Sequence, residues 1–369
     1  MGLLSVQQQV LEMSVRVRSE PGPTTVRATG VVPGGYDRVA STMALRPLLE
    51  QFEVDLDSLL AESGLPISLF DHPDNLIPFR EGTRLLGFCA DRTRCAHIGL
   101  LIGEATPFEA LGIVAELAKA AADVRAALQL MSRFMTLTDG GGLLTLSETA
   151  QFASFSYSVY EPGVERAEIL GDNILAASCN VLRALCGRKW RPHEIWLSRS
   201  RPTDIQPYIK ILKAPLRFDV EQSAVVFERV WLEAPMATAD PARLRVLEAK
   251  ARAMEASETG DLVAQVRRVV RRQLLAGSCS MQSVAAELGM HRRTLDRRLR
   301  PYGVAFKVLG DEIRFEVSRQ LLLDTGMPVI AIAQSLHYAD PSAFTHAFRR
   351  WSGITPTQWR EAARRYSDA

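Results

Sequence analysis

Five arginines and one aspartate crowd a single short stretch of this chain: Arg292, Arg293, Asp296, Arg297, Arg298 and Arg300. A guanidinium can pair bidentately with guanine or bind a phosphate, and a carboxylate can accept from cytosine or orient a neighbouring arginine. A second, less charged set follows about fifty residues later as Ser342, Thr345, His346, Arg349 and Arg350. Its hydroxyl, imidazole and guanidinium groups suit the same surface, a polyanion with hydrogen-bonding edges.

The surrounding residues predict how each set is held. Val284, Ala285 and Leu288 share one helical face, Gly289 ends that helix, and Leu295 and Leu299 start a second apolar stripe. The arginines then lie on the outer face of the second helix. Downstream the plan repeats with a slightly longer turn. Ile332, Ala333 and Leu336 form the first stripe, Asp340 caps the next helix with Pro341 at its first position, and Phe344, Phe348 and Trp351 carry the second. Between the two units Phe306, Leu309, Ile313, Val317 and Leu321 recur every three or four residues, which predicts one helix of about 20 residues. The carboxy-terminal fold expected is all-α, with two helix-turn-helix motifs joined by a long helix.

Residues 262–363 resemble the DNA-binding domain of the AraC/XylS family of bacterial transcription regulators. The resemblance is clearest in Ile332, Ala333 and Leu336 and in the run Tyr338 to Pro356, through its aromatic, Ser, Phe, Phe, Gly and Pro positions. It implies that Arg293, Asp296 and Arg297 read base edges, while Arg292, Arg298 and Arg300 serve phosphates or pair within the domain. In the second unit it places Ser342, Thr345 and His346 at bases and Arg349 and Arg350 at phosphates. Two positions depart from the family pattern. Its usual glycine is His337 here, which implies a less tight turn, and its common arginine is His346. An unequal pair is therefore expected, the first unit giving more of the specificity and the second more of the positioning.

Charge divides the chain in the same place. From 261 to 369 there are 17 Lys or Arg against 10 Asp or Glu, a net of +7; before it there are 27 against 32, a net of −5. The basic end is the expected nucleic-acid footprint. Arg267, Arg268, Arg271 and Arg272 lie on the outer face of a helix expected over 262–275, where phosphate contact and simple solvation are alternatives.

No metal, cofactor or catalytic group is expected. Cys89, Cys95, Cys179, Cys186 and Cys279 are odd in number and match no metal-binding spacing, so they read as thiols of a reducing cytoplasm. His72 and Asp74 flank Pro73 in a turn with no third ligand nearby. The first residues lack the pattern of a secretion signal, and no run approaches the 18 or more apolar residues of a membrane span. The expected location is a bacterial cytoplasm, at the nucleoid.

The first two thirds predict an α+β domain. Residues 1–35, with Val15, Val17 and Val26 among proline and glycine punctuation, form a poorly defined segment. A sensor and dimerisation domain is expected over 36–239, a linker helix and joint over 240–261, and the DNA-binding domain over 262–369. The pattern turns helical from Tyr36, with further helices over 80–90, 107–119, 122–135 and 167–185. Leu143 to Leu146 and Phe152 to Tyr160 read as strands, the second alternating large apolar residues with serines. Packing of a half-buried strand explains that alternation. A ligand cavity beneath the sheet is the other use of the same positions, with Phe155, Tyr157 and Tyr160 as its contacts.

This region also resembles the arabinose-binding-type amino-terminal domain of one AraC-family branch. The resemblance rests on the early helices, Gly99 to Gly103, Gly187 to Pro192, Ala214 to Asp219, Trp231 to Pro235 and Ala239-Asp240. Sugar binding does not follow from the domain's name. The resemblance implies a small-molecule effector, a homodimer, double-stranded DNA and RNA polymerase as partners, and activation of transcription. The alternative is a constitutive regulator or repressor whose first domain only dimerises.

Overall fold

The computed structural model describes residues 25–28, 30–33, 35–159, 164–220, 222–257, 262–275, 279–324 and 327–367. Among these, the residues up to 257 form one compact unit and those from 262 a second.

The first unit mixes two sheets with nine helices among the described residues. Strands β1 (Val26–Arg27), β2 (Tyr36–Arg38) and β3 (Asn75–Pro78) pair antiparallel in the order β1-β3-β2. Tyr36 thus opens a strand, not the helix expected there. Its backbone is taken up by pairing with Pro78, and the helical period begins only with α1 (Leu45–Glu50) and α2 (Leu56–Glu62). Ala28, Val31 and Val32 are buried, so part of the segment read as poorly defined belongs to this unit. Val15 and Val17 lie outside the described residues.

The larger sheet runs β4-β5-β8-β6-β7, formed by β4 (Gly142–Glu148), β5 (Phe152–Val159), β6 (Glu194–Trp196), β7 (Leu216–Arg217) and β8 (Ala224–Glu228). All neighbours are antiparallel except β6 and β7. Because β5 is interior, its serine face is also used: Gln222 donates to Ser156 Oγ at 3.0 Å and to Ser158 Oγ at 2.6 Å.

Helices α3 (Phe79–Thr93), α4 (Ile98–Ala105), α5 (Ile113–Ala120), α6 (Val124–Phe134), α7 (Ala167–Cys186) and α8 (Gln206–Leu212) complete two adjoining apolar cores. The single helix expected over 107–119 is broken: Phe108–Leu111 is a 3-10 turn, and Gly112, at φ +54°, precedes α5. Helices α4 and α7 cross with their backbones touching. A Cβ at Gly99 would lie 2.1 Å from the Ile169 carbonyl oxygen, and one at Gly103 2.1 Å from that of Asn173. Helix α7 is long and apolar enough to cross a membrane, but Ile169, Leu175, Cys179 and Leu182 are buried within the unit. It also carries buried Asp172, paired with Arg199 at 2.5 Å.

The expected linker helix is α9 (Pro241–Ser257), and it is not a free linker. Leu247 and Ala251 are buried in the same core as α5 and α6, because they supply an apolar face within a charged sequence.

In the second unit, α10 (Leu262–Leu275) packs on α13 (Phe306–Asp324), and α16 (Pro356–Ser367) closes the far side. Two short pairs flank the 19-residue α13: α11 (Met281–Glu287) with α12 (Arg292–Leu299), and α14 (Val329–Ser335) with α15 (Pro341–Ser352). Val270, Leu295, Leu299, Ile313, Phe344 and Phe348 meet in one core.

Candidate nucleic-acid interface

The two helix pairs use the same turn. In the first, the Leu288 N–H donates to the Val284 carbonyl, Gly289 to Ala286 at 3.1 Å and Met290 to Ala285 at 2.8 Å. In the second, Leu336 donates to Ile332, His337 to Gln334 at 3.0 Å and Tyr338 to Ala333 at 3.0 Å. Gly289 has φ +65° and His337 φ +58°. The less tight turn expected at His337 is therefore corrected: the histidine adopts the left-handed conformation that a glycine would occupy, because the closing hydrogen bonds demand it. The connection to the next helix is one residue longer in the second pair, as expected.

Capping differs between them. Asp340 accepts the N–H groups of Ser342 at 2.6 Å and Ala343 at 3.0 Å, and these donors hold its carboxyl below the ordinary range. At the head of α12 the cap is His291, whose Nδ1 accepts the Arg293 N–H at 3.4 Å. Helix α11 begins with a reciprocal Ser280–Ser283 capping box. Neither His291 nor Ser280 was singled out from the sequence. An S-x-x-S pattern before an apolar run is the signal that points to the latter.

On α12, Leu295 and Leu299 are buried, each burial stabilising by roughly 1.5–3 kcal/mol. Their anchoring turns Arg292, Arg293, Arg297, Arg298 and Arg300 outward, all exposed. The guanidiniums of Arg292, Arg293 and Arg297 make no hydrogen bond or ion pair among the described residues. Among the described residues Arg298 approaches only the Met290 sulfur, at 3.9 Å. Asp296 pairs with Arg300 at 3.1 Å, one turn further along.

The outer face of α15 is more self-contained. Ser342, His346 and Arg349 are exposed, and Arg349 has no ion pair among the described residues. The Thr345 hydroxyl donates to the Pro341 carbonyl at 2.9 Å, one turn back in its own helix. Arg350 reaches Asp311 on α13 at 3.4 Å and lies over the Trp351 ring.

Other basic residues are already engaged. Arg267 pairs with Glu312 and, at 3.3 Å, with Glu316, while Arg271 pairs with Glu316 at 2.6 Å. These two join α10 to α13 instead of facing solvent unpaired. The side chains of Arg268 and Arg272 lie outside the described residues.

Of the three ligand-contact candidates in the first unit, Phe155 and Tyr157 line one cavity between α6, α7 and the β4-β5 hairpin. Tyr160 lies outside the described residues. The cysteines offer no activated thiol: burial pushes Cys89, Cys179 and Cys186 up to about 12 and raises Cys95 and Cys279. His72 Nδ1 accepts the Asp74 N–H at 3.1 Å, as a turn would have it. Among the described residues no group of three His, Cys, Asp or Glu is placed to hold a metal.

Residues 54–236 match the family model described as the arabinose-binding domain of AraC transcription regulator, N-term, and residues 284–362 match a helix-turn-helix domain model. Over 329 residues the chain is 25% identical to the HTH-type transcriptional regulator VirS of Mycobacterium tuberculosis, covering 89% of this chain and 97% of that one. It is also 25% identical over 338 residues to the ornithine utilization regulator of Pseudomonas aeruginosa, covering 88% and 96% respectively. The solved transcriptional regulator CdpR from Pseudomonas aeruginosa aligns over 86% of this chain and 98% of that chain, at 23% identity and a TM-score of 0.44.

Proposed function

We propose that this chain, which belongs to the AraC/XylS family of helix-turn-helix transcription regulators and carries an amino-terminal arabinose-binding-like domain, is an effector-responsive activator that binds direct-repeat sites as a dimer. It is a sequence-specific DNA-binding regulator and not an enzyme. In this reading α11–α12 and α14–α15 each work as a helix-turn-helix, with α12 and α15 in the major groove. Helix α13 sets their separation. Its 19 residues span about 28 Å, near the ~34 Å of one DNA turn, which supports two adjacent grooves on one face of the duplex.

The observation that carries the reading is the row of unpaired guanidiniums on α12, held outward by Leu295 and Leu299. Arg293 and Arg297 read bases, Asp296 orients Arg300, and Arg292 and Arg349 hold phosphates. Ser342, Thr345 and His346 complete a weaker second reader. Binding of a small effector in the first unit shifts the population able to hold DNA and engage RNA polymerase at the nucleoid.

The test is Arg297→Ala, assayed at one fixed salt concentration on operator and scrambled DNA. A base contact predicts a loss of about 1–3 kcal/mol on the operator and little on scrambled DNA. Equal losses on both would remove the base-reading assignment. A reporter whose activation ignores every added effector would remove the sensor.

A further inference from the structure

The cavity beneath the β4-β5 hairpin has a volume of about 90 Å³, and most of its wall is apolar, from Phe108, Leu111, Met131, Leu144, Phe155 and Ile174. One wall is acidic. Asp37 on β2 and Asp139, in the loop before β4, face each other in an isolated antiparallel bridge. The hydrogen bonds around them run from Arg38 N–H to the Thr138 carbonyl at 3.3 Å and from Gly140 N–H to the Tyr36 carbonyl at 2.9 Å. The two aspartates are therefore a non-hydrogen-bonded pair, whose side chains leave one face at the closer spacing, about 4.5 Å between Cα atoms. Both line the cavity.

Their carboxylates are unequally supported. Asp139 accepts the Gly141 N–H at 2.6 Å, the Gly142 N–H at 3.1 Å and the Tyr157 hydroxyl. Asp37 receives the Ser41 hydroxyl at 3.4 Å and a backbone N–H from Arg38. Burial first and Asp139 second push the Asp37 carboxyl well above the usual carboxylate range. The Arg38 guanidinium is committed to Asp74 and the Gly30 carbonyl, and none of the residues lining the cavity is basic. Across the cavity, Asn173 is 4% exposed and Ser178 8%, and neither side chain makes a hydrogen bond among the described residues. An amide and a hydroxyl each offer a donor and an acceptor, and both line the cavity, so this wall suits a group that supplies both in return.

We propose that the cavity takes a small primary amine or guanidine with a compact apolar body, its cation held by Asp37 and Asp139 and a second polar group held by Asn173 and Ser178. The proposal rests on the reading of the first unit as a sensor and names the class of its effector. A carboxylate ligand is disfavoured because it would add a third acid with no cation to receive it. The volume, below the roughly 150 Å³ that holds benzene, limits the enclosed body to a few carbons. The ammonium enters as a proton leaves the aspartate pair. Affinity therefore rises with pH through the Asp37 transition, with Asp139 facing Asp37, Tyr157 bonded to Asp139, and Ser41 and Arg38 beside it.

The test titrates the full chain calorimetrically with n-butylamine, n-butanol and butyrate, which share one apolar body and differ in the head. The amine is expected to bind at least ten-fold more tightly than the alcohol, with butyrate weakest. Asp37→Asn should bring the amine to the alcohol's level while keeping or raising the melting temperature. If that variant does not fold, Ser178→Leu, which fills the cavity, should abolish amine binding. Equal binding of alcohol or butyrate, retention of amine affinity in folded Asp37→Asn, or no amine binding at millimolar concentration each overturns the proposal. DNA affinity measured with and without bound n-butylamine separates the two readings: binding without any change in DNA affinity removes the sensor role and leaves the ligand class standing.

Discussion

Gly289 and His337 occupy equivalent positions in the two turns, and exchanging their side chains should change stability in opposite directions. Gly289 sits at φ +65° with nothing within 4 Å of the position its Cβ would take, so Gly289→Ala meets no clash and feels only the backbone. A left-handed conformation costs an L-residue roughly 1–2 kcal/mol. Loss of glycine's freedom in the unfolded chain returns about 0.4–1 kcal/mol. The net destabilisation is about 0.5–1 kcal/mol, a factor of roughly 2 to 5 in the folding equilibrium. His337→Gly, relieving φ +58° at an exposed side chain, should stabilise by up to a similar amount. Hydrogen exchange of the core amides of α13 and α16, read by mass spectrometry on the full chain, reports this unit separately from the other. Protection should fall in Gly289→Ala and rise in His337→Gly. Unchanged protection in both, or a loss in His337→Gly, would refute the claim that the two turns share one strained geometry.

Four further substitutions probe other parts of the molecule. Arg199→Ala removes the cation beside Asp172, whose carboxyl burial raises to about 6 against the pull of Arg199 and Tyr208. An acid with a raised folded pKa stabilises most at low pH and loses that contribution as pH rises through it, so the variant's deficit, about 3 kcal/mol near pH 8, should shrink below pH 6 in urea titrations. Gly103→Ala drives a Cβ against the Asn173 carbonyl at 2.1 Å, and calorimetry should show the first unit losing about 1–3 kcal/mol or more with the second unit's transition unmoved. Arg349→Ala should weaken operator and scrambled DNA alike and lower the salt slope by about one, whereas Arg350→Ala, already paired with Asp311, should change the slope less.

The helix pairs were legible because their information is local. Leu295 and Leu299, or Phe344 and Phe348, fix which face is buried, and Asp340-Pro341 marks a helix start whatever surrounds it. What could not be read was occupancy of the outward groups. Arg267 and Arg271 carry the same helical pattern as the arginines of α12, yet Glu312 and Glu316 neutralise them from a helix more than forty residues away. The acidic wall of the cavity is another long-range fact, since Asp37 and Asp139 come together only when two separate backbone segments pair. One trace of it was present in Asp139-Gly140-Gly141-Gly142. A Cβ at Gly142 would fall 1.8 Å from the Tyr157 hydroxyl, so the glycine gives that hydroxyl room beside Asp139.

The likeness of the two turns places any inequality between the readers on their surfaces. Had His337 opened its turn, α15 would sit at a different angle from α12, and its proposed contacts with DNA would shift with it. Instead the closing hydrogen bonds are the same in both pairs, and the framework is shared. The outward groups then differ in one physical respect, how much of their hydrogen-bonding capacity the protein itself has consumed. On α15, Thr345 is bonded to its own helix, the Ser342 hydroxyl to Asp340 and Arg350 to α13, which leaves His346 and Arg349. On α12, three guanidiniums remain wholly uncommitted among the described residues. Since an Arg bidentate to guanine discriminates by about 1–3 kcal/mol, the proposed base-reading role gives α12 more discrimination to contribute than α15 before any operator sequence is specified.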